Sequence, residues 1–156
     1  MKYFRNSYRG QAGVTLIEIL IVVVIVSIIS AVAYPSYVQH ITKTRRTTAQ
    51  SALLQVADRQ QQFFMDNKRY ETSLANLGFV DNPLWLDDKG DRVPPGDTDS
   101  VYAMVLVNVQ PTSFMAVAVP IGIQRTRDAE CGVMTLDQAG VRQTFPLDGT
   151  AEDDCW

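Results

Sequence analysis

From Val14 to Ala33 the chain is apolar at almost every position, and the only charge in that run is Glu18. A run of this kind is about as long as a helix needs to cross a bilayer. Beyond Tyr34 the composition becomes that of an ordinary water-soluble domain. The pattern therefore predicts one membrane segment carrying one small globular head. The β-branched stretch Val22 to Val26 has low helix propensity in water. In lipid the backbone must satisfy its own hydrogen bonds, so a helix is expected there regardless. Pro35 lacks an N–H and clashes with the carbonyl four residues back, which predicts a kink; Ser27 and Ser30 are placed to satisfy freed backbone groups. A helix ending at Pro35 is the alternative. Against it, Tyr37, Ile41, Thr48, Ala52, Val56 and Phe63 fall near one helical face, as a helix packed on a core requires. The expectation is a kinked but continuous helix to about residue 65, its second half lying on the head.

Past the polar run Asp66-Asn67-Lys68-Arg69 the pattern changes. Thr72 to Leu77, followed by Gly78, predicts a short helix. Residues 81–100 are rich in proline, glycine and aspartate and read as an exposed loop. Val101 to Val109 and Phe114 to Val119 read as strands joined by Gln110-Pro111-Thr112-Ser113. Gly132 to Leu136 and Val141 to Phe145 read as a second hairpin, turning at Asp137-Gln138-Ala139-Gly140. The fold class is α+β: a long N-terminal helix on an antiparallel sheet of about four strands.

Charge sharpens this picture. The first thirteen residues hold Lys2, Arg5 and Arg9 and no acid, whereas residues 78–156 hold five basic and thirteen acidic residues, a balance of −8. An acidic head repels phosphate backbones, which counts against nucleic acid as the main partner. The basic start and apolar run also describe a secretory signal, and Ala31-Val32-Ala33 supplies a weak A-x-A site. The run is long for a removable signal core, so an uncleaved or differently cleaved anchor is expected. Basic residues flank both ends of the run, Lys43, Arg45 and Arg46 lying beyond it, so charge alone leaves orientation nearly tied. Cys131 and Cys155 favour export of the C-terminal part, where such a pair reads as a disulfide; two free thiols are the alternative. With one histidine, His40, and two cysteines a zinc site is not expected. Asp87-Asp88-Lys89-Gly90-Asp91 has some likeness to a calcium loop but lacks its spacing and terminal glutamate. No cofactor is implied, and no nucleophile and base set marks an enzyme.

Glu18 remains the anomaly. A carboxylate at mid-membrane costs roughly 2.5–3.5 kcal/mol, less near an end, where it can snorkel. The segment Gly13-Val14-Thr15-Leu16-Ile17-Glu18, after a basic leader and before an apolar run, resembles the processing signal of type IV prepilins. That resemblance implies cleavage by prepilin peptidase between Gly13 and Val14, N-methylation of Val14, and an assembly role for Thr15, Leu16, Ile17 and Glu18. Valine stands at position 14, where the family usually has phenylalanine. Tyr34-Pro35 falls where pilins carry a helix-bending proline. Further along, Arg45-Arg46, Ala49 to Leu53, Arg59 to Phe64, Tyr70, Leu77-Gly78-Phe79, Cys131 to Asp137 with Gly140, and Cys155-Trp156 resemble the PilE-like minor pilins.

The resemblance implies a leader at 1–13, a helix at 14–66 whose residues 14–33 lie in the membrane or filament core, and a head at 67–156. It implies a minor pilin as the function, supporting pilus biogenesis, adhesion and twitching motility. Its partners would be other pilin subunits, prepilin peptidase and the inner-membrane assembly platform. The chain would sit single-pass in the inner membrane, head periplasmic, before joining an extracellular pilus. A type II secretion pseudopilin and a DNA-receptor pilin are the alternatives.

Overall fold

The computed structural model describes residues 14–149 and 154–156. These fall into two units, one ending at Val38 and one running from Gln39 to Trp156. The first is helix alone. Helix α1 extends over Leu16–Asn67 and passes through Pro35, so the proline does not terminate it. Within it Ser27 donates to the Val23 carbonyl at 2.7 Å, well before the Ala31 carbonyl that Pro35 cannot bond.

In the second unit α1 lies on a five-stranded antiparallel sheet of order β1-β2-β3-β4-β5. The strands are β1 Leu84–Leu86, β2 Tyr102–Gln110, β3 Ser113–Pro120, β4 Val133–Asp137 and β5 Arg142–Phe145. Both expected hairpins form, in registers that include Met104↔Ala118 and Thr135↔Gln143. The 3-10 turn Ala75–Leu77 ends at Gly78 in the left-handed region, as the short helix followed by glycine foretold.

Three expectations change. Residues 81–100 are not all exposed loop: Leu84 and Leu86 are buried as β1, pairing with Met104 and Tyr102. Two leucines two residues apart point to one face of a strand, a signal hidden by the surrounding Pro and Asp. That strand makes the sheet five-stranded. A short helix α2, Gly122–Arg127, lies between β3 and β4.

The face of α1 on the head is also rotated from the one expected. Thr42, Arg46, Ala49, Leu53, Val56 and Gln60 are buried, whereas Tyr37 is 64% exposed. Their spacing is helical, but half of them are polar, so counting apolar residues selects the wrong stripe. On the inner face of the sheet Tyr102, Met104, Phe114, Ala116, Ala118, Met134 and Leu136 close the core against Ala49, Leu53 and Val56. Tyr70 joins the far end, stacked on Phe64 at 4.7 Å and edge-on to Phe114 at 4.8 Å.

Candidate functional site: the anchor motif and the polar clasp of the head

The N-terminal motif folds into a capping box. Thr15 Oγ1 accepts from the Glu18 amide at 3.3 Å, and Glu18 Oε2 accepts from the Thr15 amide at 3.5 Å. Two of the free N–H groups at the start of α1 are thereby satisfied. The sequence already carries the signal, Thr-x-x-Glu before an apolar run, so this second role of Thr15 and Glu18 is legible from spacing alone. Beyond the motif the helix offers apolar surface and little else. Leu16 is 83% exposed, and each large apolar side chain through Val32 is exposed too. The helix is long and apolar enough to cross a membrane. Gly13 lies outside the described residues; Val14, Thr15, Leu16, Ile17 and Glu18 lie together at the exposed start of the helix.

In the head, a second cluster of charged groups is buried rather than exposed. Asp128, just past α2, is 0% exposed and Arg46 of α1 is 7% exposed. Arg46 Nε lies 3.1 and 3.2 Å from the two Asp128 oxygens, and its Nη2 donates to the same carboxylate. Tyr102 donates its hydroxyl to Asp128 at 2.9 Å, and Gln124 Nε2 reaches Asp128 at 3.0 Å and the Thr42 carbonyl at 3.1 Å. One carboxylate thus ties α1, β2 and α2 together. Burial alone lowers the Arg46 pKa, but the hydrogen bond and charge of Asp128 outweigh it and raise it above the ordinary value. For Tyr102, burial first and the Asp128 charge second push the phenol well above its ordinary range. Partnered in this way, buried charges are tolerable. Sequence reasoning missed this cluster, because Asp128 and Gln124 sit in a stretch with no periodic pattern.

The C-terminus closes over the same stretch of α1. Cys131 and Cys155 form a disulfide, with a sequence separation of 24. Gln50 Nε2 donates to the Cys155 carbonyl at 2.8 Å, Arg46 Nη1 to the Asp154 carbonyl at 3.3 Å, and Lys43 pairs with the Asp154 carboxylate at 2.9 Å. That hydrogen bond, with the Lys43 charge, draws the Asp154 pKa below its usual value. Trp156 donates its indole N–H to the Gln143 carbonyl at 3.2 Å under the Arg142 guanidinium.

Among the described residues no cluster of three or more His, Cys, Asp or Glu is placed to hold a metal. In the Asp87 to Asp91 loop, Asp87 Oδ1 accepts from the Lys89 and Asp91 amides. A groove of about 410 Å³ runs beside α1, with Arg59, Lys89 and Arg92 on its walls and Asp91 among them.

A long helix with an uncovered apolar first half, laid by its second half on an antiparallel sheet closed by a C-terminal disulfide, defines the type IV pilins. Residues 8–34 match the prokaryotic N-terminal methylation motif, and residues 35–135 match the family described as type IV minor pilin ComP, DNA uptake sequence receptor. The chain belongs to this type IV minor pilin family. The fold resembles that of the Neisseria meningitidis non-core minor pilin PilV, 17% identical with a TM-score of 0.50; the match covers 74% of this chain and 97% of that one. A type IV pilin from Shewanella oneidensis is also similar, at 20% identity and a TM-score of 0.44 over 74% of this chain and 97% of that one. No curated protein sequence matches the chain significantly. The family and fold are those of structural proteins.

Proposed function

We propose that this chain is a minor pilin made as an inner-membrane prepilin, its head in the periplasm, and cut after Gly13 by prepilin peptidase. Val14 becomes the methylated N-terminus, and the extracted subunit enters a pilus beside other pilins through the assembly platform. Residues 1–13 are the leader, 14–66 the helix with its membrane or core segment at 14–33, and 67–156 the head. In this role the chain binds and assembles without catalysing a reaction, supporting pilus biogenesis, adhesion and twitching motility.

The observation that carries this reading is the exposed apolar surface of α1 with one carboxylate at its start. Such a surface belongs in lipid or among other helices. Cleavage creates an amino cation on Val14, and Glu18 of one subunit pairs with that cation on a neighbour. Two charges leave water at tolerable cost only when they meet, so the pair selects the axial register of insertion. In the single chain Glu18 reaches back to its own Thr15 amide at 3.5 Å, a long contact that a cation displaces. Mass spectrometry of purified pili tests the proposal. It predicts a methylated Val14 terminus, an intact Cys131–Cys155 bond and low stoichiometry. Assembled fibres whose subunits keep the leader would sink it.

The family's description favours a second reading, in which the head receives DNA during uptake. The −8 balance of residues 78–156 opposes it, but Arg59, Lys89 and Arg92 gather cations along one groove. A groove that binds phosphates shows affinity falling steeply with salt, with a slope near −0.9 per contact on duplex DNA. A salt-dependent gel shift weakened in Lys89→Ala and Arg92→Ala supports this role; no shift at low salt leaves the structural role alone.

A further inference from the structure

The sheet of the head is apolar on both faces. Tyr102, Met104, Phe114, Ala116, Met134 and Leu136 turn to α1 and form the core. The alternate positions turn the other way. They include Val105, Val107, Met115, Val117, Val119 and Val133, set side by side by registers such as Val105↔Val117 and Val107↔Met115. Val117 is only 8% exposed yet lies outside the core, so its outward neighbours wall it in. Phe145, opposite Val133 on β5, is 51% exposed. Helix α2 is on the other side, where Gln124 and Asp128 tie it to α1. An antiparallel sheet with one face on the core commonly turns a polar face to water. Here the polar groups of the outward face are weak opponents of burial. Thr135 and Gln143 carry no charge, and Asp137 Oδ1 already accepts from the Ala139 and Val141 amides of its own turn.

Contiguous apolar surface of this kind marks an interaction site. Shape and charge say what covers it. A pleated sheet face offers no deep groove to a peptide or a small ligand, but it fits a second sheet, packed about 10 Å away. Residues 78–156 carry a balance of −8, so two heads repel over most of their surface. The outward side of β2, β3 and β4 is where two such heads can touch without bringing like charges together. Across a twofold axis this patch meets itself, equal in extent and in lack of charge. With strands about 4.8 Å apart and outward residues about 6.7 Å apart, β2 to β5 present on the order of 400 Å². A pair covers roughly twice that, the size of a weak and transient contact. Copies held in one bilayer by α1 meet at a raised effective concentration, which a weak contact needs. We propose that a second copy of this chain covers the outward face of the sheet, the two sheets packing face to face. None of these residues belongs to the anchor motif, so the contact is independent of how the leader is removed.

Cysteine crosslinking of the full chain in zwitterionic phospholipid vesicles tests this. The described residues hold no free thiol, so one introduced cysteine reports the contact to a short bismaleimide. Val105→Cys or Val119→Cys is expected to give a crosslinked dimer at least fivefold above Val80→Cys, whose site is 71% exposed and outside the sheet. That comparison removes any pairing made by α1 alone. Adding Val133→Lys on the same face should cut the yield at least fivefold, and the milder Val133→Thr should cut it less, with the Tm of both close to that of the parent. Added salt should raise the yield, because it screens two acidic heads. A yield no greater than that of Val80→Cys overturns the proposal. So does one that survives Val133→Lys, one that falls with salt, or one that appears only when a different pilin shares the vesicle.

Discussion

At the scale of single residues, the most consequential group is the Asp128 carboxylate. It is fully buried and accepts from Arg46, Tyr102 and Gln124. Removing one partner of a buried pair is far costlier than never having buried it, so the cluster holds α1 in one position on the sheet. Its titration has a definite sign. The Tyr102 pKa is raised in the folded state, by burial first and by Asp128 second. The neutral phenol's contribution is therefore fully present below the unfolded value near 10 and is lost as pH rises past it. Each pH unit in that window removes roughly 1.4 kcal/mol. Urea denaturation between pH 8 and 11 should show the wild type losing stability at the alkaline end more steeply than Tyr102→Phe. At pH 8 the variant should be weaker by about 1–2 kcal/mol from its lost hydrogen bonds.

At the scale of elements, the strands of both hairpins and the length of α1 were legible because their patterns are local and apolar. Strand β1 was not: its three residues are outnumbered by turn-forming neighbours. The packed face of α1 was misjudged because Thr42, Arg46 and Gln60 are buried through hydrogen bonds rather than through apolarity. Gln60 shows how, giving its Nε2 to the Glu71 carbonyl at 2.7 Å and taking the Glu71 amide at 2.9 Å. Only the partner segment reveals such positions. The last hairpin depends on one glycine. Gly132 has a φ of +58°, and a Cβ there would lie 2.1 Å from the Phe145 carbonyl oxygen. Backbone cannot yield as a side chain can, so Gly132→Ala combines strain in the left-handed region with a clash. A loss of at least 2 kcal/mol is expected, read as a lower urea midpoint with an unchanged slope. Tm should fall several degrees.

At the scale of the whole molecule, the processing motif was the most legible feature of all, since its residues are contiguous. The Asp128 cluster was illegible, since its central pair, Arg46 and Asp128, lies 82 positions apart in the chain. The proposed register role of Glu18 has a clear consequence. Glu18→Gln keeps the capping acceptor and the apolar surface, so insertion and leader removal should proceed as in the wild type. Incorporation into filaments, measured by immunoblot of sheared pili, should fall at least tenfold. Normal incorporation would remove the pairing from the account. The Cys131–Cys155 bond carries a mechanical consequence as well. It encloses a segment with a sequence separation of 24, which spans about 80 Å when fully extended. Pulled from its ends in optical tweezers, the oxidised head should release a contour length shorter by about that amount than the reduced one. A cell hauling on such a fibre would stretch the polypeptide outside the bridge, while β4 and β5 stay shielded from the load.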